Sequence, residues 1–257
     1  MGIDGQTVSR SGEPRIYLLG SGIFSYYDLT LYTQHLLQEC PSVFYLHDLP
    51  SLERYIAKLN PKAVNLMPIY YIDGRDRSDI YGDIAAHILR HARENPPVAF
   101  LMHGHPLVFS SISQRIILEG EKSGIPVEIV PAVSSLDRMF ADLKLDIANR
   151  GIQIFHASMA IAKELALNPH VDSIFLQIGS VHDNTARRNE EASLEGIHLF
   201  QRYLLRFFPG EHELVVIESA IETGFASRLT TVRIDRLSEA VQAFNYNASA
   251  YVPALGM

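Results

Sequence analysis

The first half of the amino-acid sequence alternates short apolar runs with amphipathic stretches, and this alternation restricts the fold more than any other feature. Apolar runs typical of strands lie at residues 15–19, 43–46, 98–102 and 127–130, and helical apolar spacing lies at 28–39, 52–59, 79–93 and 111–121. We take Asp28 as the N-cap of the first helix. Residues 98–102 are apolar without interruption, which indicates a strand buried on both faces. Strands that alternate with helices predict a parallel sheet with crossover helices.

The pattern changes near Pro131, after which strands become more frequent. Strands are predicted at 153–155, 173–177, 213–218, 230–234 and 248–252, and helices at 134–143 and 187–207. The predicted fold class is therefore α/β, with two α/β domains. We predict a disordered tail at 1–14, an N-terminal domain with a largely parallel sheet at 15–125, and a C-terminal domain with a mixed sheet at 126–257.

Composition and charge narrow the range of partners. The 257 residues include 22 Lys and Arg against 29 Asp and Glu, a net charge of −7, whereas a protein that holds a polyanion normally has a basic surplus. We therefore expect no nucleic-acid partner. No apolar run approaches the ~18 residues of a membrane helix, and residues 1–14 lack a signal-peptide pattern, so no membrane partner is expected. Cys40 is the only cysteine, which excludes an internal disulfide and favours a cytoplasmic protein.

Several common catalytic signatures are absent from the sequence. There is no G-x-x-x-x-G-K-[ST] phosphate loop, no G-x-S-x-G nucleophile elbow and no H-E-x-x-H zinc helix. Gly20 and Gly22 follow a predicted strand, as in dinucleotide-binding proteins, but Ser25 stands where the third glycine of that fingerprint would be. A plain tight turn explains these glycines equally well.

Two pairs of histidines have spacings that can bind a metal ion, namely His87 with His91 and His103 with His105. The first pair is spaced i, i+4 on a predicted helix, and the second is an H-x-H. No neighbouring carboxylate pattern completes either group. We therefore predict no metal site and interpret the four side chains as core or surface histidines.

The predicted strand at 98–102 runs directly into Gly104 and Pro106. Ligands bind at the carboxyl ends of strands in open α/β sheets, and a glycine there lets the backbone approach a ligand closely. An ordinary strand-to-helix turn explains this segment equally well.

Tyr71, Arg77 and Tyr81 form a further group of interest. Arg77 and Tyr81 are four residues apart, so they share one face at the start of a predicted helix. Tyr71 lies six residues upstream of Arg77 in a predicted loop. Two phenols and a guanidinium can converge there, and the alternative is an exposed arginine packed on tyrosines.

Nine short motifs occur in order along residues 15–253. They are IYLLGSG (16–22), the segment 71–81, HGHPLVF (103–109), VPAVSS (130–135), FADLKLD (140–146), GIQIFHAS (151–158), FLQIG (175–179), HELVVIESA (212–220) and SAYVP (249–253). In this order they resemble the S-adenosylmethionine-dependent tetrapyrrole methylase superfamily.

Within that superfamily the chain looks most like the borosin peptide backbone α-N-methyltransferases. Residues 104–106 have the G-H-P form of those enzymes, where porphyrin-type members usually have G-D-P. The spacing of Tyr71, Arg77 and Tyr81 matches the trio that borosin enzymes use at the substrate amide. Ala132 departs from the superfamily, which often has glycine before its paired serines.

The resemblance implies a function and a site. It implies S-adenosyl-L-methionine as the cofactor, held between two α/β domains, with S-adenosyl-L-homocysteine as the product, and it implies a homodimer. It assigns cofactor contacts to Met102, His103, Gly104, His105, Val108, Phe109, Ser134, Ser135, Gln177 and Ser249. Borosin enzymes can carry their substrate as a C-terminal extension, whereas this sequence stops at Met257. We therefore expect the methyl acceptor to be a separate precursor peptide.

The chemistry expected of the trio follows from the weak nucleophilicity of an amide nitrogen, whose lone pair is delocalised into the carbonyl. Arg77 would stabilise the oxyanion that develops on the amide. A cation makes a neighbouring tyrosine a better base, so we assign Tyr71 as the base and Tyr81 as a donor to the oxygen, with the reverse left open. The alternatives are methylation of a tetrapyrrole or another small molecule, methylation of ribosomal RNA, which the acidic balance disfavours, and cofactor binding without catalysis.

Overall fold

Two units, each with its own five-stranded sheet, make up the structure. The computed structural model describes residues 13–186, 192–245 and 248–256. The first unit comprises residues 1–138 with 221–223, and the second comprises residues 139–220 with 224–257. Most of the tail predicted at 1–14 lies outside the described residues.

The first unit is built on a parallel sheet. Its strands are β1 (Ile16–Gly20), β2 (Ser42–Leu46), β3 (Val64–Asn65), β4 (Val98–Met102) and β5 (Val127–Val130). Its helices are α1 (Leu31–Glu39), α2 (Pro50–Leu59), α3 (Met67–Tyr70), α4 (Arg77–Glu94) and α5 (Ser111–Lys122), and α6 (Ser135–Leu143) crosses the division between the units. The strand order is β3-β2-β4-β1-β5, and every pair is parallel. All five residues of β4 are buried, as the uninterrupted apolar run predicted.

The order of these strands determines where ligands are expected. After β1 the chain continues to β2, towards the edge of the sheet formed by β3. After β4 it continues to β5, which forms the opposite edge. The adjacent strands β1 and β4 therefore flank a topological switch point, and ligands of open α/β sheets bind beside the carboxyl ends of strands at such a point.

The first helix begins later than predicted. A 3₁₀ turn covers Ser25–Asp28, and α1 starts at Leu31 with Thr30 as its N-cap, whose Oγ1 accepts a hydrogen bond from Thr33 N. The prediction that Asp28 caps this helix was wrong. Asp28 Oδ2 instead accepts hydrogen bonds from the two backbone N–H groups at 23 and 24, at 2.9 and 2.8 Å.

The division between the units also differs from the predicted boundary at 125/126. β5 pairs with β1 in the first sheet, with Ile16 opposite Val127 and Leu19 opposite Val130. The first unit therefore extends to Arg138. This boundary depends on the pairing of two strands that are more than a hundred residues apart in the sequence. No local change in composition marks it.

The second unit is built on a mixed sheet. Its strands are β6 (Ile152–His156), β7 (Asp172–Leu176), β8 (Glu213–Glu218), β9 (Arg228–Arg233) and β10 (Ser249–Val252), and its helices are α7 (Ala157–Ala162) and α8 (Leu194–Leu204), with 3₁₀ segments at Ile178–Ser180 and Ile234–Ala243. The order is β6-β7-β10-β8-β9. β6 and β7 are parallel and the other pairs are antiparallel, which confirms the predicted mixed sheet and the α/β class.

The core of the second unit is aromatic and aliphatic. Phe175, Phe200 and Phe244 are fully buried, and the ring of Phe175 meets that of Phe200 edge to face at 5.2 Å between centroids. The helix predicted at 187–207 corresponds to α8, and residues 187–191 of that prediction lie outside the described residues. Among the described helices, none combines the length and apolar character needed to cross a membrane.

Candidate functional site

A short backbone bridge joins the carboxyl ends of β1 and β4 in the first unit. Gly104 N donates to Gly22 O at 2.9 Å, and Gly22 N donates to Gly104 O at 3.3 Å. A Cβ at Gly20 would lie 2.2 Å from the carbonyl oxygen of Gly104, so only glycine fits there. Backbone packing accounts for these glycines, which favours the tight-turn interpretation over a dinucleotide fingerprint.

The segment that follows β4 has two residues in the left-handed region. Gly104 has a φ of +70° and Phe109 a φ of +53°, a conformation that costs a non-glycine residue about 1–3 kcal/mol. Nδ1 of His105 accepts a hydrogen bond from the backbone N–H two residues further on, at 3.0 Å. The side chains of His103 and Phe109 are exposed. A strained turn therefore presents an imidazole and a phenyl ring at the carboxyl edge of the sheet.

Other predicted cofactor residues of this segment have structural partners. The side chain of Met102 is 5% exposed, and its Sδ lies 3.5 Å from Oγ of Ser113 on α5. The carbonyl of Met102 accepts a hydrogen bond from Ser21 N at 2.8 Å. Val108 is half-buried, and its N–H donates to the carbonyl of His105 at 3.1 Å. Met102 thus holds β4 against β1 and α5.

The structure brings two members of the predicted trio together. The rings of Tyr71 and Tyr81 lie 6.5 Å apart between centroids and are inclined at 54°. Arg77 is the first residue of α4, one turn before Tyr81, and only 9% of it is exposed. Tyr71 directly follows α3, which comes after β3 along the chain. Arg77 is therefore buried, whereas the alternative interpretation expected an exposed arginine.

Fixed contacts restrain the loop between Tyr71 and Arg77. The guanidinium of Arg75 pairs with Asp83 of α4 at 2.5 Å, and Asp76 caps α4 by accepting a hydrogen bond from Ser78 N at 2.7 Å. These contacts tie the loop to the helix that carries Arg77 and Tyr81.

Ser134 and Ser135 lie at the start of α6. Oγ of Ser134 donates to Oδ2 of Asp137 at 2.6 Å, and Ser134 N donates to the same oxygen at 2.7 Å. Burial opposes ionisation of Asp137, but these hydrogen bonds outweigh it and lower the pKa of the carboxyl. Ser134 is buried and Ser135 half-buried. The hydroxyl proton of Ser134 is therefore used in the hydrogen bond to Asp137 at the start of α6. The Ser134 hydroxyl can contact a ligand only as an acceptor, and neighbouring backbone groups remain as further contacts.

Gln177 and Ser249 lie at one end of the sheet of the second unit. Gln177 follows β7 in the left-handed conformation, with a φ of +56°, and its Oε1 lies 2.8 Å from Nε2 of His156 at the end of β6. Ser249 is the first residue of β10, is 7% exposed, and lies on the strand that pairs with β7. The imidazole of His156 orients the amide of Gln177, whose strained backbone is typical of a functional position.

His47 is a partner of His103 that the sequence patterns did not indicate. Nε2 of His47 lies 3.1 Å from Nδ1 of His103. His47 directly follows the apolar strand β2 and precedes Asp48. A polar residue at the carboxyl end of a strand is the sequence feature that could have indicated a functional role. Only the adjacency of β2 and β4 in the sheet brings the two histidines together.

The other histidine pair takes part in ring packing. Nδ1 of His87 lies 2.9 Å from the hydroxyl of Tyr70, and the rings of His87 and His91 both contact Phe44 at 4.9 and 4.8 Å between centroids. Among the described residues, no group of three or more His, Cys, Asp or Glu side chains is arranged to hold a metal ion.

The sheet order defines a two-unit α/β protein, and the strained turn after β4 and the Tyr71–Tyr81 pair are its candidate site features. The family model described as tetrapyrrole (corrin/porphyrin) methylases matches residues 15–219. The chain therefore belongs to the tetrapyrrole methylase family, whose reaction class is methyl transfer.

Curated relatives cover nearly all of this chain. A methyltransferase and type II borosin cyclic peptide precursor of Phlebiopsis gigantea is 30% identical over 96% of this chain and 44% of its own length. A type I borosin precursor of Gymnopilus junonius, also a methyltransferase, is 29% identical over 96% of this chain and 58% of its own length. The chain thus spans about half the length of the curated relatives it matches.

Solved structures share the fold. One is uroporphyrin-III C-methyltransferase of Thermus thermophilus, solved in complex with S-adenosylhomocysteine. It superimposes with a TM-score of 0.64 at 23% identity, and the superposition covers 93% of this chain and 97% of that enzyme's chain. A cobalt precorrin-4 methyltransferase of cobalamin biosynthesis has a TM-score of 0.65 at 16% identity, over 93% of this chain and 94% of its own. These neighbours confirm the predicted fold of two α/β domains.

Proposed function

We propose that this protein transfers the methyl group of S-adenosyl-L-methionine to backbone amide nitrogens of a peptide, and that the peptide is a separate molecule. The observation that carries the proposal is the pairing of Tyr71 with Tyr81, 6.5 Å between ring centroids, with the buried Arg77 one helical turn before Tyr81. Family membership supports methyl transfer. The curated relatives, which are both methyltransferases and peptide precursors, support a peptide as the acceptor.

The first unit has residues that fit the cofactor. S-adenosyl-L-methionine, when bound, supplies an electrophilic methyl group on a sulfonium. A Cβ added to Gly104 would meet only Cδ1 of Ile23, at 3.4 Å, so the backbone of Gly104 is open to a ligand. His103 and His105 flank that glycine with polar nitrogens, and Phe109 offers an exposed ring for contact. In the second unit, Gln177 and Ser249 are the residues we assign to the cofactor by resemblance.

The trio would act on the amide of the substrate. Arg77 is permanently cationic, so it can hold negative charge on the amide oxygen as the nitrogen loses its proton. Tyr71 would accept that proton and Tyr81 would donate a hydrogen bond to the oxygen. Exposed apolar side chains flank Tyr71, with Ile69 50% and Ile72 58% exposed. They give an extended peptide an apolar surface beside the reacting groups.

Three substitutions test the trio. Tyr71→Phe and Arg77→Lys should retain affinity for S-adenosylhomocysteine and lose turnover, because they act on the amide, and loss of a general base typically costs about 10²–10⁴ in rate. Tyr81→Phe should also retain this affinity and lose turnover, because it removes the hydroxyl that would donate a hydrogen bond to the amide oxygen. Turnover is measured as methyl groups gained by a co-expressed peptide, and affinity by calorimetry.

Tyr70→Phe is the matched control, because Tyr70 precedes Tyr71 but its hydroxyl contacts His87. We expect this variant to methylate the peptide at the wild-type rate. Wild-type turnover in all three trio variants, or an equal loss in Tyr70→Phe, would show that the trio is structural.

Methylation of a tetrapyrrole is the second candidate, and the description of the family model favours it. A tetrapyrrole carbon does not require deprotonation of an amide, so variants of Tyr71 and Arg77 would leave its methylation nearly intact. The homodimer and the cytoplasmic location stay predictions from the sequence. Light scattering in solution tests the first, and a mass of one protomer would contradict it.

A further inference from the structure

His47 and His103 form a pair at the carboxyl edge of the first sheet. His47 follows β2 and His103 follows β4, and these strands are adjacent and parallel. Nε2 of His47 lies 3.1 Å from Nδ1 of His103, and the rings meet edge to face with centroids 5.1 Å apart. The residue His47 is 9% exposed, whereas the residue His103 as a whole is exposed. A buried histidine therefore supports an exposed one.

The backbone determines which nitrogen of His47 carries the proton. Leu49 N donates to Nδ1 of His47 at 3.0 Å, and a backbone N–H can only donate. Nδ1 of His47 is therefore unprotonated, and the neutral ring carries its proton on Nε2. The Nε2–H group of His47 is directed at Nδ1 of His103, which accepts the hydrogen bond. Neutral His103 consequently carries its own proton on Nε2.

Adding a proton to the pair would break this arrangement. A proton on Nδ1 of His47 would oppose the N–H of Leu49, and a proton on Nδ1 of His103 would oppose the Nε2–H of His47. Burial, and then the neighbouring His103, lower the pKa of His47 to about 3. Desolvation by the surrounding protein also lowers the pKa of His103, while the carboxylates of Asp48 and Asp28 oppose that shift. The pair is thus neutral at physiological pH.

We propose that His103 donates a hydrogen bond from Nε2 to an oxygen of a bound ligand, and that His47 is the positioning residue that fixes this tautomer. This inference rests on the proposed function of the same site. In this tautomer the outward nitrogen of His103 is a donor, so His103 cannot act as the base that removes the amide proton. The acceptor is either the carboxylate of the cofactor's amino-acid part or the carbonyl of the substrate amide.

Nuclear magnetic resonance of the protein labelled with ¹⁵N in its histidine rings tests the tautomers directly. We expect Nδ1 of both His47 and His103 to be unprotonated at neutral pH. His47 should not titrate from about pH 5 to pH 8, where ordinary histidines titrate, and His103 should titrate below its ordinary pKa. In His47→Phe, His103 should become a mixture of tautomers and titrate nearer its ordinary pKa. A proton on Nδ1 of His103 in the wild type, or ordinary titration there, would overturn the proposal without recourse to a variant.

His103→Phe identifies the acceptor. It is assayed for affinity towards S-adenosylhomocysteine and towards 5′-methylthioadenosine, which lacks the amino-acid carboxylate. If the acceptor is that carboxylate, affinity for the first ligand should fall about tenfold or more and affinity for the second should not change. If it is the substrate carbonyl, both affinities should hold and kcat should fall. Unchanged affinities together with unchanged kcat would refute the role of His103 as a donor.

These results separate this inference from the proposed function. An active peptide methyltransferase with the wrong His103 tautomer would refute the inference alone. A protein with the expected tautomers that binds S-adenosylhomocysteine yet methylates no peptide would refute the proposed function alone. His47→Phe adds a readout that a merely structural residue would not move, since its methylation rate should gain a pH dependence near the ordinary histidine pKa.

Discussion

Replacing Gly104 with alanine should weaken cofactor binding more than it weakens the fold. Gly104 has a φ of +70°, a conformation that costs an alanine about 1 kcal/mol. The added Cβ would meet only the flexible end of Ile23, at 3.4 Å, so crowding within the protein adds little. We expect a loss of about 1 kcal/mol in the free energy of unfolding and a fall in Tm of about 2–4 °C.

Gly124→Ala is the matched control. Gly124 has a φ of +66°, and nothing lies within 4 Å of a Cβ added there. It lies between α5 and β5, at the amino edge of the sheet, away from the carboxyl edge that holds Gly104. The two variants therefore carry the same backbone strain, but only Gly104→Ala places a methyl group where we expect the cofactor.

Titration calorimetry with S-adenosylhomocysteine compares the two variants. We expect Gly104→Ala to bind at least tenfold more weakly than the wild type, equivalent to about 1.4 kcal/mol, and Gly124→Ala to bind with wild-type affinity. Equal affinities in the two variants would show that the backbone of Gly104 does not face the cofactor.

The remaining predictions concern the caps and the buried groups. Ser134→Ala should lower the free energy of unfolding by about 1 kcal/mol, as loss of an N-cap does, and denaturation in urea measures this. Hydrogen bonds lower the folded-state pKa of Asp137, so its carboxylate contributes to the free energy of unfolding at neutral pH, and that contribution is lost as pH falls through this pKa. The difference in free energy of unfolding between the wild type and Asp137→Asn should therefore shrink in acid. A difference that does not change with pH would contradict this. Burial, and then the hydrogen bond to Asp172, raise the pKa of Tyr251 to about 12, so its contribution is lost as pH rises towards that value. Tyr251→Phe should remove one late-titrating tyrosine from the ultraviolet difference spectrum, and an unchanged spectrum would contradict the shift.

Local sequence patterns predicted the regular elements well where burial is uniform. The run at 98–102 and the helix at 79–93 correspond to β4 and α4, with the helix extended by two residues at its start and one at its end. The spacing of apolar residues indicates which side chains are buried, and in the first unit these belong to the strands and to the helix faces packed on them. The same patterns misplaced the first helix, because the carboxylate of Asp28 binds the backbone N–H groups that precede it rather than those that follow.

Contacts between distant residues explain what the sequence did not reveal. β5 pairs with β1, so the first unit extends to Arg138 and does not end at the predicted residue 125. His47 and His103 are 56 residues apart and meet because β2 pairs with β4. The left-handed backbone of Gln177 likewise has no local signal, since it follows an ordinary apolar strand. The residues of the trio were assigned by resemblance, since their spacing alone left a structural alternative open, and the burial of Arg77 needed the structure.

Tandem mass spectrometry of a peptide incubated with the protein and S-adenosyl-L-methionine distinguishes methylation of main-chain nitrogens from methylation of side chains. We expect added methyl mass on main-chain nitrogens, located on residues without a nucleophilic side chain such as Val, Ile or Gly, and a loss of that mass with Tyr71→Phe and Arg77→Lys. Methyl mass found only on side chains, or only on a tetrapyrrole supplied in place of the peptide, would contradict this expectation.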